Sequence, residues 1–155
     1  MTPTHSPGKS ALRWLDIPPV WLLAFILAAW ALPRGGLAGA WVAPFGWVLV
    51  AQGVVLMAWA AWLFPRHRTS VVPHRKPDNI ITSGPYRFSR NPIYLADALL
   101  LAGAALVMHS LLGLLLVPVF MVVITRRFIR GEEARLSAAF PDDAAAFFGR
   151  TRRWL

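Results

Sequence analysis

The sequence predicts an all-α integral membrane bundle of about four transmembrane helices. Three observations carry that expectation. Hydrophobic residues make up 57% of the chain and charged residues only 15%, against about 45–50% and about 25% in soluble domains. The apolar residues gather into four blocks, each of roughly the 17–25 residues that cross a bilayer. The basic residues lie between and beyond those blocks on one side. At 155 residues the chain suits a single domain, taken as 1–155.

The first block, 17–33, opens on Pro18-Pro19. Their missing N–H groups would be unpaired at a helix start anyway. The polar, Pro-rich 1–10 and the Leu32-Pro33-Arg34 ending do not resemble a secretory leader, so this block is expected to be a retained span. The second block, 40–64, is long enough to cross with some tilt. The third and fourth, 92–108 and 111–128, are separated only by His109-Ser110, which reads as a tight helical hairpin or a bent pair of half-spans. On the third, Ala98, Ala102 and Ala105 recur at helical spacing as a close-packing seam. On the fourth, Pro118 leaves the Leu114 carbonyl without its usual donor, so a kink is expected. Asp97 lies about 7–8 Å along the third span from Pro92 at 1.5 Å per residue. A carboxylate there faces either a polar cavity or the hydrated interface.

Of the 16 Lys and Arg, all but Arg34 fall on one face of a four-span arrangement. The positive-inside bias then puts both termini and the 64–91 loop in the cytoplasm, with a bacterial inner membrane as the setting. The net charge of +9 is explained by anionic headgroups, so no nucleic-acid partner is expected. Absence of Cys excludes disulfides and cysteine nucleophiles. His67 and His74 share the loop without the cluster of His, Cys and carboxylate ligands that a metal needs, and no metal site is expected. Gly35-Gly36 with Gly39 lacks a preceding strand and is no dinucleotide loop.

The loop before the third span is rich in Pro, and Gly84-Pro85 would let a ligand approach the backbone closely. Arg87 and Arg90 are guanidiniums suited to a carboxylate. Tyr86 and Tyr94, the chain's two tyrosines, offer aromatic faces to a purine or a cation. Beyond the fourth span, Leu136 and Phe140 share a helical face. Phe140-Pro141 breaks that helix, and Asp142-Asp143 suit the start of another, ended near Gly149.

Gly84-Pro-Tyr-Arg-Phe-Ser-Arg-Asn-Pro-Ile-Tyr-Leu95, followed by Glu132-Glu133 and a closing Arg153-Trp154, resembles the isoprenylcysteine carboxyl methyltransferase and phospholipid methyltransferase superfamily. The likeness runs over about 54–155 and includes Thr69 and Pro73. The superfamily pattern has His where this chain has Asn91, Gly where it has Ala96, and commonly Arg where it has Gly131. The resemblance implies S-adenosylmethionine as cofactor, in a pocket formed by the cytosolic loop and short C-terminal helices. Ile80, Ile81, Gly84, Tyr86, Asn91, Pro92, Ile93, Tyr94 and Glu132 would line it, with Arg90 and Glu133 orienting the acceptor. The implied reaction is methyl transfer to a lipophilic, membrane-embedded carboxylate, thiol or amine. Two alternatives remain: an NADPH-dependent membrane reductase of the sterol-reductase type, and a non-catalytic protein that keeps the fold.

Overall fold

The computed structural model describes residues 16–66 and 80–155, and every described element is helical. Helix α1 is Pro18–Ala31, α2 Val42–Arg66, α3 Pro92–Val107 and α4 Leu111–Ile124. A one-turn π segment, Thr125–Ile129, joins α4 to α5, Arg130–Ala139, and α6 is Pro141–Arg150. Met1–Leu15 and the Thr69, Pro73, His67 and His74 positions lie outside the described residues.

Two of these helices are long and apolar enough to cross a membrane: α2, and the continuous Leu111–Ala139 rod. Their most apolar stretches are only 17% and 28% buried. A core helix of a soluble protein would be mostly covered, so these surfaces belong against lipid. Trp41 and Trp62 mark the two ends of α2, exposed by 64% and 56%. The helix between them rises about 31 Å, the thickness of a hydrocarbon core, and Trp favours such interfaces. The shorter apolar helices α1 and α3 complete the bundle.

Helix α3 is its axis. Against α2 it packs backbone to backbone: a Cβ added at Gly103 would lie 2.6 Å from the Gly46 carbonyl oxygen, and one at Gly53 3.0 Å from that of Ala96. In lipid, small residues let helices approach because dispersion and backbone contacts replace the hydrophobic drive. Ala98 and Ala105 are buried, as the spacing suggests, but the closest approach is made by glycines. On the other side α3 meets α1 and α4 through Tyr94, Ala98, Leu101, Phe120, Ile124 and Phe128. Phe25 and Phe120 stack edge to face there at 5.3 Å.

The joint between α3 and α4 is a tight hairpin. His109 N–H donates to the Leu106 carbonyl and Ser110 N–H to that of Ala105, the paired bonds of a left-handed helix terminus. His109 holds the required positive φ of 53°. Ser110 then caps α4 by accepting from Gly113 N–H at 3.0 Å.

Helix α4 continues through Pro118, and a π turn that the sequence did not announce follows at Thr125–Ile129. There Thr125 Oγ1 donates to the Met121 carbonyl at 2.7 Å, a back-bond that perturbs helices. The chain also does not end its helix where the apolar run ends. It carries Glu132 and Glu133 outward on the same rod.

Candidate functional site

Among the described residues, the ion pairs lie at the basic end of the bundle. The loop sits there directly on α2. Gly84 has φ +59°, so a side chain is strained there by conformation, and a Cβ on it would lie 2.9 Å from Leu63 Cδ1. From Gly84 a 3-10 turn runs to Arg87, with Pro85 accepting from the N–H groups of Phe88 and Ser89. The loop is then stitched to the C-terminal tail. Arg90 N–H donates to the Arg152 carbonyl at 2.9 Å, and Asn91 Nδ2 to the Arg153 carbonyl at 3.0 Å. Asn91 thus spends its side chain on holding the tail. Pro92 follows as the first residue of α3, where its ring is preorganised for a helix start.

Two carboxylates organise the centre, and neighbours on a helix point in different directions. Glu132 Oε1 accepts from the Tyr94 hydroxyl at 2.8 Å. Glu133 accepts from Arg90 Nη1 at 3.1 Å and from Arg153 Nε at 2.9 Å. Arg90 also lies over the Phe148 ring at 4.7 Å. Its Nε is buried and has no hydrogen-bond partner among the described residues. Such an orphaned donor calls for an explanation.

The electrostatics divide the pair. Glu132 lies on α5, past the apolar part of the rod. Burial pushes its carboxyl above the ordinary range, opposed by the Tyr94 hydrogen bond and by Arg135 and aided by Glu133. Burial, and then the Glu132 charge, push the Tyr86 phenol up as well. Glu133 is instead shared by two guanidiniums, and its hydrogen bond to Arg153 holds that group's pKa up. The result is a carboxylate hydrogen-bonded to a neutral hydroxyl next to two guanidiniums that share one carboxylate, a combination suited to a zwitterionic ligand.

The structure therefore brings together Tyr94 with Glu132, and Arg90 with Glu133, across about 40 residues of chain in each case. Ile81 and Tyr86 are buried with Ala60, Leu63 and Phe147, and Ile80 and Ile93 pack against them. Helix α6 covers this wall with Phe147 and Phe148. Gly84 lies against Leu63 of this wall. Arg153 had no assigned role in the sequence reading, although Arg153-Trp154 belonged to the resemblance. It proves to be the second guanidinium on Glu133. Trp154 next to it donates to Thr125 Oγ1 at 3.3 Å, tying the tail to the π turn.

A family model described as phospholipid methyltransferase matches residues 41–143, which contains both helical walls, the loop and the Glu pair. The chain belongs to the phospholipid methyltransferase family. It is also similar to the cobalt-zinc-cadmium resistance protein CzcN of Cupriavidus metallidurans, with 29% identity over 93% of this chain and 68% of that protein. No solved structure matches it. The family and the exposed apolar helices agree that this is a membrane protein of methyltransferase descent.

Proposed function

We propose that this protein is an S-adenosylmethionine-dependent methyltransferase acting on a lipophilic acceptor that enters from the bilayer. The observation that carries the reading is the charge pattern at the basic end: a half-buried Glu132 whose hydrogen bond comes from the neutral Tyr94 hydroxyl, beside an Arg90 whose Nε has no partner among the described residues. The cofactor is a sulfonium that also bears an amine and a carboxylate, so it needs a carboxylate and a guanidinium side by side. The residues present fit it. Glu132 would take its cationic groups, and Arg90 Nε its carboxylate. Tyr86, Tyr94 and the backbone of Ile80, Ile81, Gly84, Asn91, Pro92 and Ile93 would border the adenosine.

When bound, the cofactor supplies an already activated methyl group. The protein's task is then alignment and exclusion of water rather than acid–base work on the donor. Glu133 is a positioning residue in this scheme, because it fixes Arg90 while Arg153 fixes Glu133. Basic residues concentrate at this end, so it faces the cytoplasm of a bacterial inner membrane, where the cofactor is available.

Methyl-labelled S-adenosylmethionine, supplied to the protein in nanodiscs of bacterial lipid extract, tests the reading. Label passing into the organic phase, and lost with Glu132→Ala, supports it. No label in that phase from folded protein contradicts it.

A further inference from the structure

We propose that two copies of this protein pair in the membrane along one face of α2, each Gln52 side chain hydrogen-bonded to its counterpart. Trp41 and Trp62 mark the ends of that helix, and Gln52 stands eleven residues from the first and ten from the second. At about 1.5 Å per residue each interval is about 15–17 Å, so the amide lies at the middle of the hydrocarbon core. Gln52 is exposed on the surface of α2, and no hydrogen bond reaches its side chain among the described residues. No other side chain from Val42 to Pro65 carries a charge, an amide or a hydroxyl. Lipid chains offer an amide neither donor nor acceptor, so a polar side chain at that depth is satisfied by another helix.

The residues around Gln52 show how that helix lies. Phe45, Val48, Gln52, Val55, Trp59 and Trp62 follow one another at alternating steps of three and four, the spacing of a coiled-coil seam. All six are exposed, the five apolar ones by 44–66%. A strict period of 3.5 keeps one face turned toward a helical partner along its whole length, whereas contact with fluid lipid chains requires no period. The seam is separate from the contact with α3. Gly46 and Gly53, which close on α3, follow Phe45 and Gln52 by one residue, about 100° around the helix.

Two features make the partner a second copy. Copies inserted with the same orientation present parallel α2 helices, and a two-fold axis along the membrane normal sets each residue opposite itself. A carboxamide both donates and accepts, so two facing glutamines satisfy each other. An apolar helix of another protein would leave the amide unmet. A single polar residue in such a seam also fixes register, because a slip sets it against apolar side chains. The pairing stands apart from the methyltransferase reading and needs no ligand.

The test uses the full chain, which has no cysteine, with one cysteine introduced at a time in vesicles of phosphatidylethanolamine and phosphatidylglycerol. Val54 is 55% exposed but stands about 160° around the helix from Gln52. Oxidation should join copies carrying Val48→Cys or Val55→Cys at least about fivefold faster than copies carrying Val54→Cys. Energy transfer between copies labelled through Leu155→Cys then measures the dimer fraction as added lipid dilutes the protein. Gln52→Leu, at a lipid-facing position, keeps the fold and should raise the dissociation constant about three- to tenfold, the range of a hydrogen bond between membrane helices. Protein that stays monomeric as lipid is withdrawn overturns the proposal, as does equal cross-linking at positions 48, 54 and 55. Dimers undiminished by Gln52→Leu overturn it too.

Discussion

The Tyr94 hydroxyl donates a 2.8 Å hydrogen bond to Glu132 Oε1, joining the first turn of α3 to the first turn of α5. This bond spans the helical hairpin and sets the distance between the two walls of the site. Tyr94→Phe removes the donor and keeps the packing against Phe128. Leaving a buried acceptor unsatisfied costs about 1–3 kcal/mol. Thermal unfolding in detergent should show a lowered midpoint, and cofactor affinity should fall. A variant indistinguishable from wild type in both would mean that the bond organises nothing.

Glu132 carries a conflict between stability and binding. Burial raises its pKa in the folded protein, so the folded state holds its proton more tightly than the unfolded chain does. The stability it contributes is present below the ordinary glutamate pKa and is lost as pH rises through the folded value. Glu132→Gln removes that titration. In the absence of ligand, the variant should gain on wild type as pH increases from acidic to neutral, while binding S-adenosylmethionine more weakly. Melting curves across that pH range check the first part, and calorimetry the second. A constant difference across pH contradicts the account of Glu132.

Glu133 is held by Arg90 and Arg153, whose side chains are 17% and 35% exposed. Glu133→Gln leaves two guanidiniums facing each other, whereas Arg153→Ala leaves a neutral pair. Partial exposure screens both effects, so we expect about 1–2 kcal/mol for the first and about half that for the second. Hydrogen exchange over 89–94 should rise more in Glu133→Gln. The opposite ranking would assign the anchoring to Arg153 itself.

The glycines of the α2–α3 seam predict a second contrast. Gly103→Ala places a methyl 2.6 Å from a backbone oxygen, but nothing lies within 4 Å of one at Gly149. Overpacking should cost about 1–3 kcal/mol at Gly103, and helix propensity should make Gly149→Ala neutral or stabilising by about 0.5–1 kcal/mol. Thermal midpoints in one detergent decide it, and equal midpoints would place the seam elsewhere.

Which of these features could be read without coordinates follows from the range of the forces involved. The helices at 18–31, 42–66, 92–107 and 111–124 are visible because an apolar run and its Pro or Ser start are local. Hydropathy finds where lipid ends but not where a helix ends. Between Ile124 and Ala139 no residue stops the helix, so the rod runs past the last apolar position and lifts the Glu pair. The seam needed a partner: Ala98 and Ala105 announce a small-residue face, yet Gly103 closes on Gly46, which only the packed pair reveals. In the site, Tyr94 and Glu132 were both marked by the resemblance, but their bond was not. Arg153 carried no local signal of its attachment to Glu133.

The most direct test of the central claim is calorimetry of the detergent-solubilised protein with S-adenosylmethionine and, separately, with NADPH. Saturable heat is expected with S-adenosylmethionine and none with NADPH. Affinity should fall at least tenfold, about 1.4 kcal/mol, in Glu132→Ala and less in Glu133→Ala. Folded protein that gives no heat with S-adenosylmethionine, or that binds NADPH instead, contradicts that claim.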